Sequence, residues 1–303
     1  MGCFADLHRL VFVIVLVACA PPATRDMHAA SPSAAAALAP SPTAPSAATA
    51  DEPTAPTLHP SDEAGTVLLG LQALAGAKHL RDPDLALLEP ALRSSYARMR
   101  ADEDDPSSPV RPRRVALTAG GAEDTLVYEP RSGVPAGART ALVFLHGYGG
   151  SFALPCWQLA RAVAPAGIAA VCPTLDVEGE WSSANGERLV RSTVDHLHGA
   201  GYDRLILAGL SNGAIGASRL APKLKGAFAA LVLVSGADPS APAPGLPALV
   251  IQGRRDAIMA ASGARTYAAA AHASYVDLDG GHFAMLLSAD EVERALRAFV
   301  ASL

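Results

Sequence analysis

The chain has 303 residues, 50% hydrophobic and 17% charged, so it has enough apolar surface to bury a core and is not a disordered polymer. Its 26 glycines and 24 prolines stay below the roughly 25–30% that marks low-complexity sequence. A formal net charge of −5 leaves no basic excess to neutralise phosphates, which argues against a nucleic-acid partner.

Leu10–Ala18 (LVFVIVLVA) is an unbroken apolar run preceded by Arg9. It is about half of the roughly 20 residues needed to span a bilayer, and it reads as the core of a secretory signal peptide. Leu16-Val17-Ala18-Cys19 resembles the lipobox of bacterial lipoproteins. That resemblance implies that residues 1–18 are a signal peptide and that Cys19 carries the lipid. The protein is then an exported lipoprotein of the bacterial cell envelope, in the outer membrane or facing the periplasm, and the lipid is its only membrane contact. Residues 19–60 are almost wholly Ala, Pro, Ser and Thr, a composition that cannot offset its own ordering entropy and suits an extended tether.

Residues 61–110 form an N-terminal helical segment. Val67, Leu68, Leu71, Leu74 and Ala75 recur at helical spacing after Ser61, and a second helix is predicted over Leu85–Arg100, with Pro83 and Pro90 limiting its start. Asp102-Glu103-Asp104-Asp105-Pro106 reads as a solvated loop. Residues 111–303 follow as a catalytic domain. Val115–Thr118 and Thr125–Tyr128 around Gly120-Gly121 read as a hairpin. Strands are predicted at Ala141–Leu145, Ile168–Cys172, Arg204–Ala208, Ala229–Val234, Ala248–Gln252 and Tyr275–Leu278. Helices are predicted at Leu154–Ala164, Glu187–His198, Ala214–Leu220, Ala260–Ala271 and Glu291–Val300. Unbroken apolar strands alternating with helices mean an α/β fold, with a mostly parallel central sheet covered by helices on both faces.

In such sheets ligands sit beyond the carboxyl ends of the strands. His146-Gly147-Tyr148-Gly149-Gly150 follows the strand ending at Leu145, and Gly209-Leu210-Ser211-Asn212-Gly213 follows Ala208. Gly253-Arg254-Arg255-Asp256 follows Gln252, and Asp279-Gly280-Gly281-His282 follows Leu278. All four loops fall at one end of the sheet. Strand, Gly-x-Ser-x-Gly and helix is the context of a nucleophile elbow, and the chain order is Ser211, then Asp256, then His282.

On these motifs the chain resembles the α/β-hydrolase superfamily over residues 111–303, and within it the small carboxylesterase/phospholipase and dienelactone-hydrolase-like groups or the secreted polyester depolymerases. The resemblance implies a serine esterase acting through an acyl-enzyme on a small-molecule ester, with no cofactor and no metal. Ser211 is expected to attack the carbonyl carbon, His282 to carry the proton, and Asp256 to orient the imidazole. Asp238, after the preceding strand, competes for the acid role, whereas Asp279 serves loop geometry. The backbone N–H groups of Tyr148 and Asn212 are expected to form the oxyanion hole. Gly147 and Gly149 let that loop approach substrate, Trp181 and Tyr148 either line the acyl or alcohol pocket or are partly buried at a loop, and His146 supports the loop. His196 and His198 lie two apart on a helix and face apart, so they make no metal site. The same triad also fits a peptidase or thioesterase, and a catalytically silent, lipid-tethered binding protein is the rival of another class.

Two further expectations follow from the element order. A helix and the strand after it run antiparallel, which brings Cys156 and Cys172 to one end of the sheet, where they either form a disulfide or stay separate buried thiols. Ser235–Pro247, the segment in which lipases of this superfamily commonly carry a lid, is too Pro-rich for a helix of useful length, so no large lid insertion is expected.

Overall fold

The computed structural model describes residues 60–76, 85–116, 124–131 and 139–303. The expected signal peptide, the Cys19 expected to carry lipid, the expected tether up to residue 59 and the expected Gly120-Gly121 turn lie outside the described residues.

Two helices come first, α1 (Pro60–Gly76) and α2 (Leu85–Asp104). The second runs through Pro90 instead of starting after it. Pro90 and Ala86 both lie on the exposed side, where solvent can donate to the carbonyl that the missing N–H leaves over. The acidic run is not a solvated loop: Asp102–Asp104 form the last turn of α2. Asp102 accepts hydrogen bonds from Trp157 Nε1 at 3.1 Å and from Arg161 at 2.6 Å, and Glu103 accepts one from the Tyr128 hydroxyl at 3.2 Å. Burial pushes the Glu103 pKa up.

Eight strands then build one sheet: β1 (Val110–Ala116), β2 (Asp124–Pro130), β3 (Arg139–Leu145), β4 (Ala169–Cys172), β5 (Tyr202–Leu210), β6 (Ala230–Val234), β7 (Ala248–Gly253) and β8 (Ser274–Leu278). Their order is β1-β2-β4-β3-β5-β6-β7-β8. The β1–β2 and β2–β4 pairings are antiparallel and every other pairing is parallel. β1 starts five residues ahead of the expected Val115, and it includes Pro112. An edge strand tolerates Pro because one row of its backbone groups has no ladder to serve. Arg111 and Arg113 of this strand both pair with Glu129 on β2. At the opposite edge Asp277 of β8 pairs with Arg265.

The remaining helices are α3 (Ala153–Val163, extended by a 3-10 turn at Ala164–Ala166), α4 (Ala184–Gly199), α5 (Asn212–Leu220), α6 (Ala261–Ala271), α7 (Ala284–Leu287) and α8 (Ala289–Ala301). Side chains alternate across the sheet, as the pleat requires. Leu142, Phe144, Ile206 and Ala208 face a core shared with α3, α7 and α8, and Leu88, Leu92, Tyr96 and Met99 of α2 join that core. Val143, Leu145, Leu205 and Leu207 face a second core built with α4, α5 and α6. The N-terminal helices therefore pack on one flank of the sheet as part of its core. Residues 235–247 contain no helix. Cys156 in α3 and Cys172 at the end of β4 are joined in a disulfide, with their Cα atoms 6.2 Å apart.

Candidate active site

Ser211 lies between β5 and α5 with φ 55° and ψ −117°, a conformation that costs a non-glycine residue about 1–3 kcal/mol. The surrounding chain holds it there. The Ser211 N–H donates to the Val234 carbonyl at 2.9 Å, and the Ala214 and Ile215 N–H groups donate to the Ser211 carbonyl. Glycine is demanded on both sides. A Cβ at Gly209 would stand 2.2 Å from the Gly213 carbonyl oxygen, and one at Gly213 would stand 2.0 Å from that of Leu145. The turn leaves the Ser211 side chain facing the loops that end β7 and β8.

Those loops supply its partners. His282 Nε2 lies 2.9 Å from Ser211 Oγ, and His282 Nδ1 lies 2.8 Å from Asp256 Oδ2. With the carboxylate accepting Nδ1–H, Nε2 is left to accept the serine proton. The Asp256 side chain is fully buried and His282 nearly so. A buried carboxylate needs donors, and Asp256 has them: the Ile258 and Met259 N–H groups on Oδ1 at 2.9 and 2.8 Å, and Gln252 Nε2 on Oδ2 at 2.8 Å. Gln252, the penultimate residue of β7, is fully buried and also donates to the Met259 carbonyl at 3.0 Å, so it braces both the acid and the turn beyond it. The two loops are laced together, with Arg254 N–H on the Leu278 carbonyl and Arg255 N–H on that of Gly280.

Asp238, the competing acid, faces elsewhere. It accepts from Arg219 Nε at 2.7 Å and from the Ser240 hydroxyl at 2.6 Å and N–H at 2.9 Å. Burial pushes its pKa up, but the Ser240 and Arg219 hydrogen bonds outweigh that and hold it below the ordinary carboxylate value. Asp279 pairs with Arg255 on the surface.

The loop after β3 passes beside the serine. A Cβ at Gly147 would lie 3.2 Å from Ser211 Cβ, and Gly149, at φ 105°, donates its N–H to the Val177 carbonyl at 2.7 Å. Tyr148 lies between them, and burial and then the nearby Glu178 charge push its phenol pKa above its ordinary value. Asn212 opens α5, so its N–H has no carbonyl one turn behind it, while its side chain donates to the Glu178 carbonyl at 2.9 Å. His146 supports the loop as expected. Its Nδ1 lies 2.8 Å from the Gly147 carbonyl, and Nε2 accepts the Leu175 N–H at 3.1 Å. These partners set the neutral Nδ1–H tautomer, and burial lowers the His146 pKa.

Trp181 does not line a pocket. It is fully buried, donates Nε1–H to the His146 carbonyl at 2.9 Å, and meets the His146 ring edge-on at 5.0 Å. Gly216 leaves space for it, since a Cβ there would lie 2.4 Å from Trp181 Cβ. Its place is behind the loop, which it props. The segment between β4 and α4 therefore holds the loop through Leu175, Val177 and Trp181, and Asn212 through Glu178, although its sequence carries no motif beyond the tryptophan. Among the described residues no group of three or more His, Cys, Asp or Glu side chains gathers to hold a metal.

No family model matches the chain, and no curated protein does. Solved structures do resemble it. Est1E from Butyrivibrio proteoclasticus matches at a TM-score of 0.51 and 13% identity, over 63% of this chain and 98% of that one. A thermostable esterase matches at 0.52 and 16%, over 64% and 63% of the two chains. The esterase Pf2001 of Pyrococcus furiosus matches at 0.51 and 13%, over 64% and 92%. With the strand order above, these likenesses show that the chain has the α/β-hydrolase fold.

Proposed function

We propose that the protein is a serine hydrolase that cleaves small carboxylic esters through an acyl-enzyme on Ser211. The observation that carries this reading is the relay from Ser211 Oγ through His282 to a buried, four-times hydrogen-bonded Asp256. Ser211 Oγ attacks the ester carbonyl while its proton passes to His282 Nε2, and Asp256 stabilises the imidazolium. The carbonyl oxygen becomes an oxyanion, which accepts from the N–H groups of Asn212 and Tyr148. Each such donor is typically worth about 2.7–4 kcal/mol in the transition state. Collapse expels the alcohol, which takes the proton from His282. Water then repeats the sequence on the acyl-enzyme and releases the acid. The descriptions of the resembling structures as esterases favour an ester over an amide or thioester.

The test is labelling by a fluorophosphonate together with turnover of an acyl-ester panel. Wild-type protein should label at Ser211 and turn over esters, and Ser211→Ala should do neither while keeping its melting temperature. Faster turnover of amides or thioesters would replace the ester assignment. Absent labelling of folded wild-type protein would leave a binding protein instead.

Export and a lipid on Cys19 complete the proposal, supported by the lipobox-like sequence; a disulfide also suits an oxidising compartment. Mass spectrometry of the N-terminal peptide checks it. Acylated Cys19 is expected, and an unmodified N-terminus beyond Cys19 would refute it.

A further inference from the structure

Helix α3 begins directly after the loop that carries Tyr148, and it begins without a cap of its own. Its N-cap residue is Phe152, whose side chain accepts nothing. The first four N–H groups of a helix have no carbonyl inside the helix to bond. Pro155 has no N–H to satisfy, so in the first turn those of Ala153 and Leu154 need partners from outside the helix. Both are taken by one residue some 90 positions earlier. Glu63 of α1 accepts the Ala153 N–H on Oε2 at 3.0 Å and the Leu154 N–H on Oε1 at 3.2 Å. The Glu63 side chain is buried, and the Tyr96 hydroxyl of α2 donates to Oε1 at 2.5 Å.

A buried carboxylate is retained only where donors replace its water. This one is matched to a helix N-terminus, where backbone N–H groups and the helix dipole both favour negative charge. The rest of the N-terminal segment is fastened to the same helix, through Asp102 of α2 to Trp157 and Arg161. The loop is pinned at its middle by Gly149 N–H on Val177 and at its start by His146. Its exit, Gly150–Phe152, runs straight into the turn that Glu63 closes.

We infer that Glu63 is a positioning residue for the oxyanion loop: the N-terminal helices supply, from outside, the cap that α3 lacks, and so fix where the Tyr148 N–H points. This rests on the hydrolase reading above. Glu63 touches no substrate, so its effect is confined to steps in which the oxyanion develops. Losing such a contact lowers kcat with little change in KM. Misplacing a group by about 1 Å can cost on the order of 100-fold.

The experiment compares Glu63→Ala in two backgrounds, wild type and Phe152→Asp, in the full chain with folding checked by circular dichroism. Aspartate at position 152 is a local N-cap that serves the same turn. Expected is a 10- to 100-fold fall in kcat for Glu63→Ala, KM within threefold, and a fall of less than threefold in the Phe152→Asp background. Amide exchange at Ala153 and Leu154 should quicken in Glu63→Ala and slow again in the double variant. That readout needs no turnover, so it stands apart from the Ser211→Ala control that tests the hydrolase reading. If Glu63→Ala does not fold, Glu63→Gln replaces it in both backgrounds with the same expectation at smaller size. An unchanged kcat, a change in KM alone, or an equal loss in both backgrounds would overturn the inference.

Discussion

The α-carbon of Gly213 sits against the carbonyl of Leu145, leaving no room for a side chain: a Cβ there would stand 2.0 Å from the Leu145 oxygen and 2.6 Å from that of His146. The nucleophile turn and the end of β3 are therefore packed backbone to backbone. Gly213→Ala should cost about 3 kcal/mol, the upper end of ordinary overpacking, and should displace Ser211. Gly199→Ala is the control, with nothing within 4 Å of its Cβ at the end of α4. It should be neutral or stabilising by less than about 1 kcal/mol. Thermal melts of both variants, with fluorophosphonate labelling rates, check the contrast.

Asp256 and Asp238 are separated by their partners, and their asparagine variants should separate too. Asp256→Asn should lower kcat about 10⁴-fold, because an amide favours the wrong imidazole tautomer. Asp238→Asn should leave kcat within a few-fold. It should act instead on acid stability. The folded Asp238 pKa lies below its ordinary value, so its contribution is present above the unfolded pKa of about 3.9 and is lost as pH falls through the folded one. Melting temperature against pH should flatten below about pH 4 in Asp238→Asn. The reverse ranking in kcat would exchange the two roles.

The bond between Cys156 and Cys172 closes a loop of 16 residues in sequence. Closing about 15 residues stabilises by about 3 kcal/mol in the chain-entropy account. Reduction, or the paired Cys156→Ala and Cys172→Ala substitutions, should lower the midpoint of denaturant unfolding by a matching amount. A midpoint indifferent to reductant would show that the bond does not form.

Residues 235–247 carry no helix to cover an acyl chain. Burial contributes about 0.8 kcal/mol per methylene, and an uncovered site gathers only part of that. Specificity constants from acetyl through palmitoyl esters should peak at short chains, with no rise above the micelle concentration. A maximum at long chains would show that another element closes over the site.

The strands, and the gathering of Ser211, Asp256 and His282 at one end of the sheet, were legible because each signal was local. An apolar run buried on both faces looks alike wherever it lies, and Ser211 and Asp256 follow such runs, whereas His282 follows the less buried edge strand β8. What the sequence concealed depends on partners far away in the chain. Asp102 and Glu103 look like solvent residues until Trp157, Arg161 and Tyr128 are placed against them. Trp181 reads equally as a pocket wall or a partly buried loop residue, and only its full burial and its hydrogen bond to the His146 carbonyl show it propping the loop. Gln252 sits inside an apolar strand with no pattern to mark it. Glu63 has the composition of any helix start, and its work is done 90 residues away. Pro112 hid the first half of β1, because a proline counts against a strand unless the strand is known to lie at an edge.

That edge governs how the molecule meets copies of itself. A bare strand offers its outward amides and carbonyls to any other bare strand, and natural sheets that stay dispersed spoil the fit with prolines and charges. Here one rim lacks a donor at Pro112 and carries Arg111 and Arg113, which pair with Glu129 of β2, and the other carries Asp277, which pairs with Arg265 of α6. Both rims therefore carry charges, and one a proline, of the kind that disfavours strand addition between copies.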